Sequence, residues 1–143
     1  MDVENVRHML RKSQRLTSRQ EIDELFSGGS KALTVHPLRV VYKIVSNESD
    51  DKTQQPQAKV MFSVPKKFFK RAVKRNRIKR QMREAYRNSN DILTTNGKTD
   101  NGKQLLMAFI WTDDQLLTTD KVTARMQQAL TRIAEKCRQH LTS

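Results

Sequence analysis

The chain has little of what staples, bends or threads a protein. It carries one cysteine, Cys137, so neither a disulfide framework nor a cysteine-based zinc site can be built. Its four glycines, Gly28, Gly29, Gly97 and Gly102, sit at turns and form neither GxxxxGK[ST] nor GxGxxG, which excludes those two phosphate-cradling loops. No apolar run reaches the roughly 18 residues of a membrane span. The start, MDVENVRHMLRK, lacks the apolar stretch of a secretory signal. Aromatics number only eight, and Leu, Ile, Val and Phe together make 33 of 143 residues. That is slightly above the level of about 20% below which a charged chain stays disordered, so the core is lean and serves one domain, 1–143. These absences predict a soluble cytoplasmic domain.

Acid is also scarce. Twenty-eight Lys and Arg stand against 15 Asp and Glu, a formal net charge of +13. The imbalance is local, because the 22 residues from Lys66 to Arg87 hold 11 basic side chains and one acid, Glu84. They carry +10 and leave +3 for the rest of the chain. A single-sign run of that density repels itself unless it is disordered or meets phosphates. A membrane helix needs bulky apolar residues opposite the charges along its length, and upstream of Ile78 the apolar seam of this segment does not continue cleanly. The expected partner is therefore nucleic acid. A weaker cluster, Arg7, Arg11, Lys12, Arg15 and Arg19, marks residues 1–14 and their flank as a loose basic arm before a core of about 15–142.

Hydrophobic periodicity organises that core. Ser18 and Glu21 fit a capping box before a helix with Ile22, Leu25 and Phe26 on one face, and Gly28-Gly29 stops it. Leu38 to Val45 alternates as a strand, a polar linker occupies 46–57, and a second strand from Lys59 to Val64 ends at Pro65. The short linker suits an antiparallel pair. Ile78, Met82, Ala85 and Tyr86 form a helical seam within the basic segment, upstream of which Phe68 to Asn76 projects beyond the core or loops into the helix. A Gly/Asn-rich loop over 88–103 precedes Gln104 to Thr112, apolar on both faces and so a central strand. A last helix opens at Thr118-Thr119-Asp120 and keeps Val122, Met126, Ala129, Leu130, Ile133, Cys137 and Leu141 on one face. The order is αββαβα, an α+β fold of helices on a sheet of three or slightly more strands.

Catalytic constellations are nearly missing. His8, His36 and His140 lie in no metal-ligand spacing, and Cys137 reads as a packed thiol. Glu21, Asp23 and Glu24 complement a helix N-terminus, while Glu48, Asp50 and Asp51 sit in a polar loop. A two-carboxylate Mg2+ site of a protein nuclease is the alternative these acids leave. Binding groups are better supplied. Arginine offers bidentate phosphate contacts, and Asn76 between Arg75 and Arg77 can read a base edge or cap a turn. Phe26, Tyr42, Phe68 and Phe69 can stack on unpaired bases or pack in the core, whereas Trp111 belongs to the core.

The run Lys66-Lys67…Ala72-Val73-Lys74-Arg75-Asn76-Arg77-Ile78-Lys79-Arg80…Arg83-Glu84-Ala85-Tyr86-Arg87 resembles the signature of the bacterial ribonuclease P protein subunit, and the similarity extends over about 14–141. The resemblance implies a two-layer sandwich of the ribosomal protein S5 domain 2 type with a left-handed βαβ crossover. It also implies a ribonucleoprotein endonuclease that removes the 5′ leader of precursor tRNA, a hydrolysis performed by an RNA subunit holding Mg2+. On that reading no catalytic residue or metal ligand lies in the protein, and no organic cofactor, membrane or obligate protein partner is involved. Arg75, Asn76, Arg77, Lys79, Arg80 and Arg83 would face the catalytic RNA. Phe26, Tyr42, Lys66 and Lys67 would take the leader in a cleft between the first helix and the sheet. Two departures mark this chain. Ile22 stands where many members carry an aromatic, and the link Phe68-Phe69-Lys70-Arg71 is glycine-free and one residue longer than usual, which makes Phe69 a candidate contact of its own. A structural ribosomal-type RNA binder on the same fold, and a protein-only nuclease, are the competing readings.

Overall fold

The computed structural model describes residues 15–16, 19–46, 58–90, 92–93 and 103–142. Its elements are α1 (Arg19–Phe26), β1 (Lys31–Val35), β2 (Leu38–Ser46), β3 (Ala58–Ser63), α2 (Ala72–Ser89), β4 (Lys103–Trp111) and α3 (Thr119–Thr142). The arm 1–14 and the capping residue Ser18 lie outside the described residues, as do the side chains of Cys137 and Leu141 in α3.

The four strands form one sheet in the order β1-β2-β4-β3. β4 runs down its middle, antiparallel to β2 and parallel to β3, and Leu105, Leu106, Met107, Ala108, Phe109 and Trp111 are all buried. A strand apolar on both faces must be covered on both, which is why LLMAFIW takes this position. Two expectations change as a result. β2 and β3 run in opposite directions but do not pair, because β4 lies between them. β1 is an additional strand, joined to β2 through the two-residue turn His36-Pro37 and paired from Lys31↔Tyr42 to Val35↔Leu38. It is a five-residue edge strand with three exposed residues, so its apolar pattern is too short to stand out. The turn is tied to the end of β4, since Thr112 N and Oγ1 both donate to Pro37 O at 2.9 Å.

Residue alternation separates two cores. On one face Val40 and Tyr42 of β2, Val60 of β3, and Met107, Phe109 and Trp111 of β4 meet Ile78, Met82, Ala85 and Tyr86 of α2 and Val122, Met126, Ala129, Leu130 and Ile133 of α3. Both helical seams read from the sequence are thus the buried ones. Phe62, Tyr86 and Phe109 form an aromatic triangle with centroids 5.8–6.0 Å apart. Burial there pushes the Tyr86 phenol above the usual tyrosine range. On the other face a smaller cluster joins Leu16, Leu25, Val41, Leu106 and Ala108. There α1 adds a short partial layer to the two-layer body. α2 continues to Ser89, and Leu93 still packs in the main core, so the loop read over 88–103 begins later than expected.

Phe109 joins the aromatic triangle from the central strand, so Phe109→Ala should cost about 3–5 kcal/mol of stability, measured by urea unfolding.

Candidate nucleic-acid interface

α2 is built to be basic on the outside. Its seam is spent on the core, and Gln81 Nε2 donates to Leu117 O at 3.2 Å and Thr119 Oγ1 at 3.3 Å, tying mid-helix to the start of α3. Upstream of the buried Ile78, Ala72 to Arg77 form an overhang of about 9 Å of helix at 1.5 Å per residue. Val73 in that overhang is 78% exposed. The projection expected upstream of Ile78 is therefore real, but it is helical from Ala72, and Phe69 is pinned in the main core at 6% exposure.

Lys74, Asn76, Arg77, Arg80 and Arg83 are exposed on this helix, and Lys79 is half-buried. None of the basic side chains of 66–87 forms an ion pair among the described residues, whose three pairs all lie elsewhere. The first turn of α2 has no acid, so its cations oppose the helix dipole and each other. Among the described residues no acid forms an ion pair with this charge, which leaves the face open to an external polyanion. Asn76 is the fifth residue of α2 and exposed, not a cap, since Arg71 is the N-cap and Asn90 the C-cap. That leaves its amide free for an outside partner. Arg75 differs: it is half-buried, and its Nη1 donates to Phe69 O at 2.7 Å and Lys70 O at 2.8 Å.

The opposite face of the sheet holds a trough. Lys43, Leu106 and Lys59 lie in one row across β2, β4 and β3. α1 is clamped along this row at both ends. Lys59 Nζ donates to Glu21 Oε1 and Oε2 at 2.9 and 3.0 Å, and Lys43 Nζ donates to Glu24 Oε1 and Gly28 O, both at 3.1 Å. Gly28 and Gly29, at φ of 117° and 76°, let the chain leave α1 in a conformation that side-chain-bearing residues resist. Two rows from the clamp, Thr34, Arg39, Ile110 and Ser63 line up across all four strands. Arg39 and Thr34 are exposed there, and Ile110 and Ser63 half-buried. β3 then leads through Val64 and Pro65 to Lys66 and Lys67, both exposed, with Lys67 Nζ 5.0 Å from the centre of the Phe68 ring. The result is a strip of mixed character beside α1, with Ile110 between Arg39 and Ser63 and exposed Lys66 and Lys67 beyond the end of β3.

The residues read as leader-binding are not all brought together. Phe26, at the end of α1, is 49% exposed and free to stack. Tyr42 points to the other face and is 5% exposed within the main core, so its ring is not part of the strip. A strand's two-residue period puts Arg39, Val41 and Lys43 on the α1 side instead. Ile22 packs against the small cluster under α1. Arg39 was missed by sequence reasoning; its only signal was a charge on the mixed face of a strand.

Among the described residues, no group of three or more His, Cys, Asp or Glu could hold a metal ion. A separate cavity of about 370 Å³ opens between the β1–β2 turn and α3. Its cations Lys121 and Arg125 are balanced by acids: Asp113 on its wall, with Asp114 and Asp120 adjacent in sequence. His36 Nε2 and Asp113 Oδ2 are hydrogen-bonded at 2.8 Å, a contact that holds the Asp113 carboxyl below its usual range. No helix among the described residues is long and apolar enough to cross a membrane.

Comparison with known proteins agrees with this geometry. The family model described as Ribonuclease P matches residues 10–134. The ribonuclease P protein component of Porphyromonas gingivalis is 42% identical over 125 residues, 87% of this chain and 86% of that one. That of Chlorobium phaeobacteroides is 43% identical over 86 residues, 60% of this chain and 57% of the relative. Among solved structures, the RNase P protein from Thermotoga maritima superposes with a TM-score of 0.59 at 20% identity, covering 82% of this chain and 96% of that one. The Staphylococcus aureus RNase P protein gives 0.55 at 18%, covering 86% and 96%. The fold is shared with both, and the chain belongs to the ribonuclease P protein component family.

Proposed function

We propose that this chain is the RNA-binding subunit of a cytoplasmic ribonuclease P, docking α2 on the catalytic RNA and holding the 5′ leader of precursor tRNA along the strip beside α1. The observation that carries the reading is the exposed basic face of α2, which has no ion-pair partner among the described residues. Mg2+ held by the RNA would supply the hydrolytic chemistry. The chain's own part is electrostatic and positional. Arg77, Arg80, Arg83 and Lys74 neutralise phosphates and release counterions. Asn76 offers a donor and an acceptor to a base edge or phosphate. Lys66, Lys67 and Arg39 would track the backbone of a single strand, and Phe26 would stack on one of its bases. Bringing these charges to a folded RNA lowers repulsion between RNA segments, so the RNA would need less Mg2+ to hold its active form.

The deciding assay mixes the purified protein with the RNA subunit at low Mg2+ and follows precursor-tRNA cleavage. A gain in rate or substrate affinity is expected, and no gain would overturn the reading. Cleavage by the protein without RNA would instead favour a protein-only nuclease.

Binding of the RNA subunit should fall steeply with salt, by about 10³–10⁵ between 50 and 200 mM if roughly 6–10 phosphates are neutralised. Arg77→Ala should lower the slope of log affinity against log salt by about 0.7–0.9, one phosphate's worth, in filter-binding titrations.

Phe26→Ala should weaken leader-bearing substrate by about 1–3 kcal/mol in equilibrium binding and leave mature tRNA unaffected. Equal losses on both would favour a structural RNA binder on the same fold. Tyr42→Ala, by contrast, should act on stability and affect both substrates alike, because the ring is buried.

A further inference from the structure

The glycine-free link Phe68-Phe69-Lys70-Arg71 stands between two lysines at the end of a strand and a basic helix. A link of this kind that flexed would let Lys66, Lys67 and Lys70 wander relative to α2, and ordering it on RNA would cost affinity. Three contacts hold it in place. Phe68 N donates to Pro65 O at 3.2 Å, which closes the turn after β3. The Phe69 ring is buried in the main core. Arg75 Nη1 then uses both of its hydrogens on the two successive carbonyls of Phe69 and Lys70, at 2.7 and 2.8 Å.

The third contact is the informative one. Arg75 lies one turn after the N-cap Arg71, whose own side chain makes no capping bond. A cation there opposes the helix dipole, yet this one is turned back along the link, while Lys74, Asn76 and Arg77 beside it face solvent. Charge-assisted bonds to two carbonyls offset that position, and only a planar guanidinium nitrogen presents two donors in a fixed geometry for them.

We infer that Arg75 is a positioning residue: it braces the link so that Lys66, Lys67 and Lys70 are held in register with α2, and the phosphate contacts of the Arg-Asn-Arg motif fall to Arg77 rather than to both arginines. The inference rests on the RNA-binding reading for its consequence, but the brace itself is a property of the free protein.

The test uses the full-length chain and two readouts. The first is backbone 15N order parameters over Lys66–Arg71 in the free protein. They should fall in Arg75→Ala and in Arg75→Lys, whose shorter stem and tetrahedral ammonium do not reach both carbonyls in the guanidinium's fixed plane, and stay unchanged in Arg77→Ala. The second is RNA-subunit affinity as a function of salt. Arg75→Ala and Arg75→Lys should both bind about tenfold more weakly, the entropy of ordering the link, with the salt slope of the unaltered protein. A link that stays rigid in Arg75→Ala overturns the brace. Unchanged affinity with a loosened link, where Arg77→Ala still weakens binding, overturns the positioning role. A slope reduced by a full phosphate in Arg75→Ala, with recovery in Arg75→Lys, makes Arg75 a phosphate ligand and overturns the reassignment. If no variant and no salt series affects RNA binding, the RNA-binding reading fails while the order parameters still decide the brace.

Discussion

Everything in this molecule hangs on β4, a strand that is apolar on both faces and therefore has to be enclosed. Enclosure requires a neighbour on each edge and a covering layer on each side. β2 and β3 supply the edges, α2 and α3 one cover, and α1 with Leu16 the other. Pairing β3 parallel to β4 obliges the chain to cross over between them, and the crossing element is α2. The basic helix is thus the connection that the central strand demands. Its seam of Ile78, Met82, Ala85 and Tyr86 holds it to the sheet, leaving the remaining circumference to carry charge.

That arrangement explains how a lean core supports so concentrated a charge. The cations sit on a helix whose packing is already complete, and its start, before Ile78 enters the core, is exposed to water that screens their mutual repulsion. Arg75, drawn inward, is spent on backbone carbonyls rather than on an acid. Acids are used elsewhere and sparingly. Glu21 and Glu24 meet Lys59 and Lys43 across the sheet, clamping α1 over one row and leaving the row of Arg39 and Ile110 uncovered. Lysines thus have two roles here, as clamps in the strands where α1 passes and as exposed charge where the chain leaves β3.

The sequence carried most of the helical information. The seams of α2 and α3, the end of α1 at Gly28-Gly29 and the buried central strand were legible because each is a local pattern, repeated within one element. The candidate site was legible as a helix and less so as a surface. Lys66, Lys67 and the α2 cations are exposed as the charge run implied, and Phe26 is half-exposed. Tyr42 enters a cleft only through the family resemblance; it is in the main core, where the apolar face of its strand, Leu38, Val40 and Tyr42, meets the helices, while charged Arg39 and Lys43 mark the other face.

By itself, the sequence determined most of the helices and strands, where the positive charge accumulates, and that a polyanion is the natural partner, since periodicity and composition are read along the chain. Only the tertiary structure decided that β4 separates β2 from β3, that a short edge strand completes the sheet, that Arg39 shares a row with Ile110 and Ser63, and that Arg75 turns inward. These are outcomes of pairing and packing between residues far apart in the chain or facing a shared backbone. They depend on which surfaces meet once the apolar area is enclosed, and no local pattern of residues encodes that.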